Sequence, residues 1–347
     1  MNFVFTLYGH EAIEYGKTKV DLMLDEVIPY MQTSTWQTVQ DNRPLVPVLW
    51  PTKFRDMLAA HTDSEQMTLE EFVSHIRQRV MAAGLEDPYM VGEEIAHVYN
   101  DASELLAAGF DAITDYAGAY GGTTAERDQA PSYQQATQRL IQKYDSDFLP
   151  AELDFIPPMT NQYYPWPRAT SSEVHHYQLP QPGDLAERMG LVLDYVQDHP
   201  DEIEAQTVFM YSWNEFSEGG GLAPTMGQGP DYCPVTDQLD ELRDVLYPLG
   251  DMDCDRVVDF DDIHPFVLGL SDPDAYEAAF GVPATLKGDI DDDGDLDFDD
   301  IAPFVDVLGG SQQRVAQAVP EPSALAGFVL GTIGLAVHGY ARKREHG

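Results

Sequence analysis

The stretch Tyr89-Met-Val-Gly-Glu-Glu-Ile-Ala-His-Val-Tyr-Asn-Asp-Ala-Ser-Glu-Leu-Leu-Ala-Ala-Gly-Phe-Asp-Ala-Ile-Thr-Asp-Tyr116 reads as strand, helix, strand. Tyr89–Glu93 is a short β-rich run, Ala102–Ala108 is rich in leucine and alanine, and Ala112–Tyr116 is apolar until Asp115. Short apolar strands separated by helical patterns mark βαβ units and a parallel sheet. The alternation continues in both directions. Strands are expected at Phe3–Tyr8, Pro44–Trp50, Leu153–Met159 and Thr207–Trp213. Helices are expected at Val20–Met31, Thr68–Ala83, Ser132–Tyr144, Leu185–Gln197 and Asp237–Leu246.

These strands end on polar or aromatic residues: Gly9-His10, Glu93-Glu94, Asp115-Tyr116 and Asn214-Glu215. Functional side chains sit this way at the C-terminal face of a (β/α)8 TIM barrel. A doubly wound sheet explains the alternation equally well, but no glycine-rich phosphate loop follows any strand, which favours the barrel. Six βα units are visible where a closed barrel has eight, and Met1 runs almost at once into a strand. The expected α/β fold is therefore a (β/α)8 barrel whose first two units lie upstream of Met1. An open six-unit sheet is the alternative.

Composition narrows the function. Sixty acids oppose 19 bases in 347 residues, a net charge of −41, which works against binding a phosphate backbone. Nucleic acid is excluded as a main partner. The hydrophobic content of 43% and aromatic content of 11% identify a globular chain and not an acidic disordered tail. Two cysteines, Cys233 and Cys254, rule out a disulfide-rich scaffold. Three zones follow: a mixed body at 1–248, an acidic module at 249–310 and a tail at 311–347. Residues 251–310 hold 18 acids and two bases.

Within the body, Thr207-Val-Phe-Met-Tyr-Ser-Trp-Asn-Glu-Phe-Ser-Glu-Gly-Gly-Gly-Leu-Ala-Pro-Thr225 carries the chemistry. A strand delivers Glu215 and Glu218 to the start of a glycine-rich loop. Two carboxylates so placed can share one pocket, and glycoside cleavage needs such a pair, one protonated and one ionised. Trp213 and Tyr211 offer apolar faces to a sugar ring, and Asn214 a neutral hydrogen-bond pair. Two solvated glutamates in a surface turn are the plain alternative. His10, Asp115, Tyr116 and Arg168 are further substrate-contact candidates, with a structural histidine and a loop ion pair as rival roles for His10 and Arg168. Glu93 and Glu94 could line the pocket, but alternation turns one of them away. His175-His176 lacks a third ligand at metal spacing.

The segment Trp213–Thr225 resembles the Asn-Glu-Trp-x-Glu-Gly-x-x-(Ile/Leu)-Glu-Pro signature of glycoside hydrolase family 99 and its family-71-like and WbsX-type relatives. Arg43-Pro44-Leu45-Val46, Gly109–Tyr116, Pro157-Pro158-Met159 and Trp166-Pro167-Arg168 resemble other family segments. The resemblance implies a TIM barrel that cleaves α-linked glycans with retention and without a cofactor. It implies that Glu215 is the base on the sugar's 2-hydroxyl, through an epoxide-like intermediate, and that Glu218 is the acid/base. Ala223 stands where the family has a glutamate. A non-catalytic carbohydrate-binding or structural surface protein is the alternative, and a role in polysaccharide assembly a third.

The acidic module repeats. Gly250-Asp-Met-Asp-Cys-Asp-Arg-Val-Val-Asp-Phe-Asp-Asp-Ile263 is matched by Gly288-Asp-Ile-Asp-Asp-Asp-Gly-Asp-Leu-Asp-Phe-Asp-Asp-Ile301. Asp251, Asp253, Asp255, Asp259 and Asp262 stand at loop positions 1, 3, 5, 9 and 12, as do Asp289, Asp291, Asp293, Asp297 and Asp300. A hard cation wants six to eight oxygens wrapped by one tight turn, so two calcium sites are expected, with Val257 and Asp295 ligating through their carbonyls. Gly294 suits the sharp turn at position 6; Arg256 there weakens the first loop. Cys254 at position 4 is expected to face outward. The twin loops resemble a type I dockerin, which implies docking to a cohesin-like partner; a calcium-stabilised spacer is the rival.

Ala324–Ala341 is apolar and closed by Arg342-Lys343-Arg344, long enough for a membrane-spanning helix with its basic end in the cytoplasm. With Val319-Pro320-Glu321-Pro322-Ser323 ahead of it, the tail resembles a PEP-CTERM sorting signal. That implies export, transient membrane anchoring, removal by an exosortase-type protease, and a cell-surface or matrix location. Met1-Asn2-Phe3-Val4 carries no export leader, a second reason to expect the true start upstream.

Overall fold

A computed structural model describes residues 2–4, 6–8, 16–60, 65–94, 98–116, 123–124, 131–149, 153–162, 174–175, 178–211, 220–223, 225–226, 234–235, 237–311, 327–330 and 334–336. The chain forms two compact units, Met1–Thr236 with Ala326–Gly339, and Asp237–Leu325 with Tyr340–Gly347. The helix Asp237–Leu246 groups with the second.

In the first unit the strands are β1 (Asn2–Val4), β2 (Leu7–Tyr8), β3 (Thr38–Val39), β4 (Arg43–Leu49), β5 (Tyr89–Glu94), β6 (Ala112–Asp115), β7 (Thr123–Thr124), β8 (Asp154–Phe155), β9 (Pro158–Thr160), β10 (Val174–His175) and β11 (Thr207–Tyr211). Two short antiparallel pairs, β7 with β10 and β12 (Thr225–Met226) with β13 (Pro234–Val235), are separate from the main sheets. The parallel order β2-β4-β5-β6-β8 follows the chain, and β9 then pairs with β11. β8 and β9 are one run interrupted at Ile156-Pro157, because Pro157 has no N–H for a ladder. Hydrogen bonds bridge the break: Ile156 N–H reaches Ile113 O at 3.0 Å, and Phe209 N–H reaches Pro157 O at 2.9 Å. A doubly wound sheet reverses its strand order at a switch point. These strands never reverse, so the winding is that of a barrel, as a curled half-barrel.

Burial explains why these segments are strands. All of β6 and β11, and β4 beyond Arg43, are buried, as expected for parallel strands covered on both faces. The helices are α1 (Lys17–Met31), α2 (Pro51–Ala59), α3 (Leu69–Ala82), α4 (Val98–Ala108), α5 (Tyr133–Lys143) and α6 (Asp184–Asp198). Thr68 with Glu71, and Ser132 with Gln135, form capping boxes that start α3 and α5. Helix α2 was not expected. Its signal was a proline at the first helical position, and it buries Phe54 and Leu58.

The strand starts are clamped by charge. Asp111 accepts from Arg43 and Arg77 at 2.7 Å each and from the Met90 N–H at 2.7 Å, while Arg77 also holds Asp87. Arg43 and Asp111 thus fix the ends of β4 and β6 away from the strand termini that carry candidate chemistry.

Nearby, Tyr89 donates to Asp154. Burial pushes Asp154 up to about 7, with Glu204 adding to the rise and the Tyr89 hydroxyl opposing it. A native carboxyl that keeps its proton contributes stability at acid pH and loses that contribution as pH rises through its native value. The free energy of unfolding of the first unit is therefore expected to carry a component that falls between about pH 4 and pH 7. Asp154→Asn should flatten it in denaturant titrations across that range; an unchanged slope refutes the assignment.

The tail departs from its expected form. Within 324–341 the described pieces are strands, β14 (Gly327–Leu330) parallel to β11 and β15 (Gly334–Ala336) antiparallel to β1. Among the described residues no helix is long and apolar enough to cross a membrane. Open strand edges present unpaired N–H and C=O groups, and an apolar run can satisfy them by pairing.

The second unit contains α7 (Asp237–Leu246), α8 (Ile263–Ser271), α9 (Pro273–Phe280), α10 (Thr285–Gly288) and α11 (Ile301–Ser311). Its core is Met252, Phe266, Tyr276, Ala284, Phe304 and Leu308. Phe266 and Phe304 hold corresponding places in the two repeats and stack at 4.0 Å, 2° from parallel. The stretch between repeats is not a plain linker: Asp272 caps α9, Pro273 begins it, and Gly281 ends it in the left-handed conformation.

Candidate active site and candidate calcium loops

At the C-terminal end of the parallel sheet, β4 ends in Leu49-Trp50, β5 in Glu93-Glu94, β6 in Thr114-Asp115, β9 in Thr160 and β11 in Tyr211. Tyr116 and Tyr211 meet edge to face at 4.9 Å, and Asp115 beside them is buried. Three sequence-derived candidates, Tyr211, Asp115 and Tyr116, thus share one end of the sheet. Trp213, Asn214, Glu215, Glu218, Arg168 and His10 lie outside the described residues, as does His176.

Glu93 is the group that sequence reading left undecided. Its side chain is completely buried. Neither carboxylate oxygen has a hydrogen bond of ordinary geometry among the described residues. Burial pushes the acid well above the usual range, the Asp115 charge adds to the rise, and Thr6 offsets only part of it. Burial thus favours the protonated form of Glu93, the form that can donate a hydrogen bond. Its backbone carbonyl accepts the Trp50 N–H at 2.6 Å. Trp50 has φ of 57°, a costly conformation for a bulky residue, and Lys53 Nζ lies 5.6 Å from its ring centroid. Strain at a strand end is a recurrent feature of functional sites. No local pattern flagged Trp50, because backbone strain is invisible in sequence.

Behind this end lies a wholly buried cation. Arg188 donates to Thr137 Oγ1 and Thr160 O at 2.8 Å and to Tyr133 O at 3.1 Å, and its guanidinium stacks 3.6 Å from the Tyr133 ring centroid. The Tyr133 hydroxyl donates to Asn161 O at 2.8 Å. These contacts lock the end of β9. Arg188 escaped the sequence reading because its helix reads as amphipathic and its burial depends on packing.

The acidic loops follow the spacing argument closely. In each copy the position 1, 3 and 5 carboxylates come together: Asp251, Asp253 and Asp255 each offer an oxygen within 4.8 Å of the others, and so do Asp289, Asp291 and Asp293. Positions 4 and 6 are left-handed in both, at Cys254 (66°) and Arg256 (72°), and at Asp292 (60°) and Gly294 (105°). Asp262 takes the Asp253 and Asp259 N–H groups at 2.9 and 2.8 Å, and Asp300 takes those of Asp291 and Asp297 at 3.2 and 2.9 Å. Asp259 and Asp297 cap the following turns. Val257 and Asp295 donate their N–H groups to Asp255 and Asp293. Burial pushes Asp253 up to about 6 and Asp262 to about 7, with neighbouring carboxylates adding to both. Once ionised, the clustered carboxylate oxygens could hold a hard divalent cation, and Asp251 Oδ1, buried and without a hydrogen bond of ordinary geometry among the described residues, is one of the oxygens that could face it.

One expectation is corrected. Cys254 is buried and not outward-facing. Its left-handed backbone turns the side chain inward, where Tyr276 and Lys287 touch the thiol. Arg256 holds the strained turn that Gly294 relieves in the second copy. Arg256→Gly is expected to stabilise the second unit by about 1 kcal/mol, read from denaturant midpoints. A lowered midpoint would show that Arg256 side-chain contacts outweigh the strain.

No family model and no curated protein matches the chain. Among solved structures, one match is the GH99 endo-alpha-mannosidase from Bacteroides thetaiotaomicron in complex with bis-tris-propane. It is 14% identical over 70% of this chain and 68% of that one, with a TM-score of 0.37. A second structure of a GH99 endo-alpha-mannosidase from the same organism is 13% identical, covers 70% of this chain and 64% of that one, and has a TM-score of 0.38. The chain spans about two thirds of the length of these structures.

Proposed function

We propose that the first unit is a glycoside hydrolase that cleaves α-linked glycan with retention, using Glu215 as base on the sugar's 2-hydroxyl and Glu218 as acid/base. The observation that carries this reading is the end of β11. The strand ends at Tyr211, packed on Tyr116, at the end of the sheet that holds the buried Glu93 and Asp115, and Trp213–Glu218 are the residues that follow it in sequence. Catalytic groups of parallel-strand enzymes cluster at that end. Trp213, Asn214, Arg168 and His10 complete the proposed sugar contacts. The test is hydrolysis of a panel of α-linked polysaccharides, with the first-formed anomer followed by proton NMR. Release with retained configuration supports the reading; release with inversion refutes the mechanism, and no release on any substrate favours a binding protein.

The second unit is, in the same proposal, a calcium-binding docking module, and the tail a sorting signal of an exported surface protein. Docking is supported by a repeated apolar face. Phe260, Ile263 and Val267 are exposed in one copy and Phe298, Ile301 and Val305 at the same positions in the other, with Phe260 and Phe298 at 67% and 79% exposure. Exposed aromatic residues in matching register suit a partner surface better than free solvent. A cohesin-like partner is the proposed occupant.

A further inference from the structure

We propose that Lys287 is the built-in counter-cation of the first acidic loop, and that the two loops therefore take up calcium unequally, the second ahead of the first. The inference rests on reading both loops as calcium sites. Residues 251–310 contain only two bases, Arg256 and Lys287. Lys287 lies 36 residues beyond Asp251, yet its ammonium pairs with Asp251 Oδ2 in a contact where both side chains are essentially buried. Its carbonyl accepts the Gly250 N–H at 2.8 Å, which pins the chain beside the loop. The other carboxylate oxygen, Asp251 Oδ1, is buried without a hydrogen bond of ordinary geometry among the described residues, and groups with Asp253 and Asp255. A cation already answers part of this cluster, and one oxygen is left for another.

The second loop shares the position 6 backbone contact, which Arg256 makes to Asp251, but differs in having no ammonium at position 1 among the described residues. Asp289 accepts the Asp293 and Gly294 N–H groups at 3.1 and 3.0 Å. Among the described residues no ion pair reaches Asp289, Asp291 or Asp293. Its three carboxylates lie close together and repel one another, a repulsion that a divalent ion would relieve. In the first loop an ammonium relieves that repulsion beforehand, and then repels an incoming divalent ion across a short, poorly hydrated distance. The two effects have opposite signs. Lys287 stabilises the ion-free loop and weakens its affinity.

The experiment uses the full chain, stripped with chelator and titrated with calcium chloride by calorimetry, alongside hydrogen exchange resolved by peptide. The wild type is expected to bind in two phases separated by about tenfold or more in affinity. Asp291→Asn should remove the tighter phase. Lys287→Met should raise the weaker affinity by about tenfold and leave the tighter one unchanged, while Lys287→Arg keeps the wild-type pattern. In chelator, first-loop amides of the wild type should exchange more slowly than second-loop amides, a comparison that stands even where Lys287→Met does not fold without calcium. Two equal phases, or a Lys287→Met variant with unchanged affinities, overturn the role of Lys287 and leave the calcium reading standing. No calcium uptake at all overturns both.

Discussion

Glu218→Gln is expected to cut hydrolysis of an unactivated α-linked glycan by about 10³-fold, because the leaving oxygen then departs without a proton. An aryl glycoside with an acidic leaving group needs no such proton, so its bond cleavage should survive in this variant. The limb of the pH–rate profile that reports the acid should vanish with the carboxyl. Glu215→Gln should lose turnover to a similar extent on both substrates, since a base acting on the 2-hydroxyl is needed whatever the leaving group. Binding of unhydrolysed glycan should persist in both variants. Michaelis–Menten kinetics on the two substrate classes separate these outcomes. Equal hydrolysis by the wild type and both variants would sink the catalytic assignment, while loss of glycan affinity in step with activity would point to a folding defect.

The second large effect is on stability. Phe304→Ala is expected to destabilise the second unit by about 3–5 kcal/mol, the range for deleting a buried aromatic ring. Phe304 stacks face to face on Phe266, so its removal strips the contact that joins the two repeats. A unit this small has little stability to spare, and the variant should be largely unfolded at room temperature without calcium. Phe298→Ala, six residues earlier, is the control. That ring is exposed, and its loss should change stability by no more than about 0.5 kcal/mol. Calorimetric melting of both variants with and without calcium checks the contrast. Equal effects at the two positions would mean that the stacked pair is not the core of the unit.

Much of the architecture was legible because it is local. The strand expected at Pro44–Trp50 is β4 at Arg43–Leu49, and the helix expected at Thr68–Ala83 is α3 with Thr68 as its cap. Helices α2 and α9 were missed although both begin with proline and α9 ends at glycine, signals outweighed by their short apolar patterns. The candidate site was legible only in part. Alternation says that Glu93 and Glu94 point opposite ways, but which one enters the core depends on the register of β5 against β4 and β6. Trp50 carries a strained backbone that no residue pattern announces.

The amino-acid sequence alone determined the alternation of strands and helices, and it determined which carboxylates the acidic loops bring together, because a twelve-residue turn gathers side chains from contiguous residues. Strand order was decided only by tertiary structure, since a sheet wound like a barrel and a doubly wound sheet share the same local pattern. So were the burial of Glu93 and Cys254, the extended form of the described tail segments, and the arrival of Lys287 beside Asp251. Each depends on which distant segments pair or pack, and chain closure over such distances is settled by the packing of the whole unit.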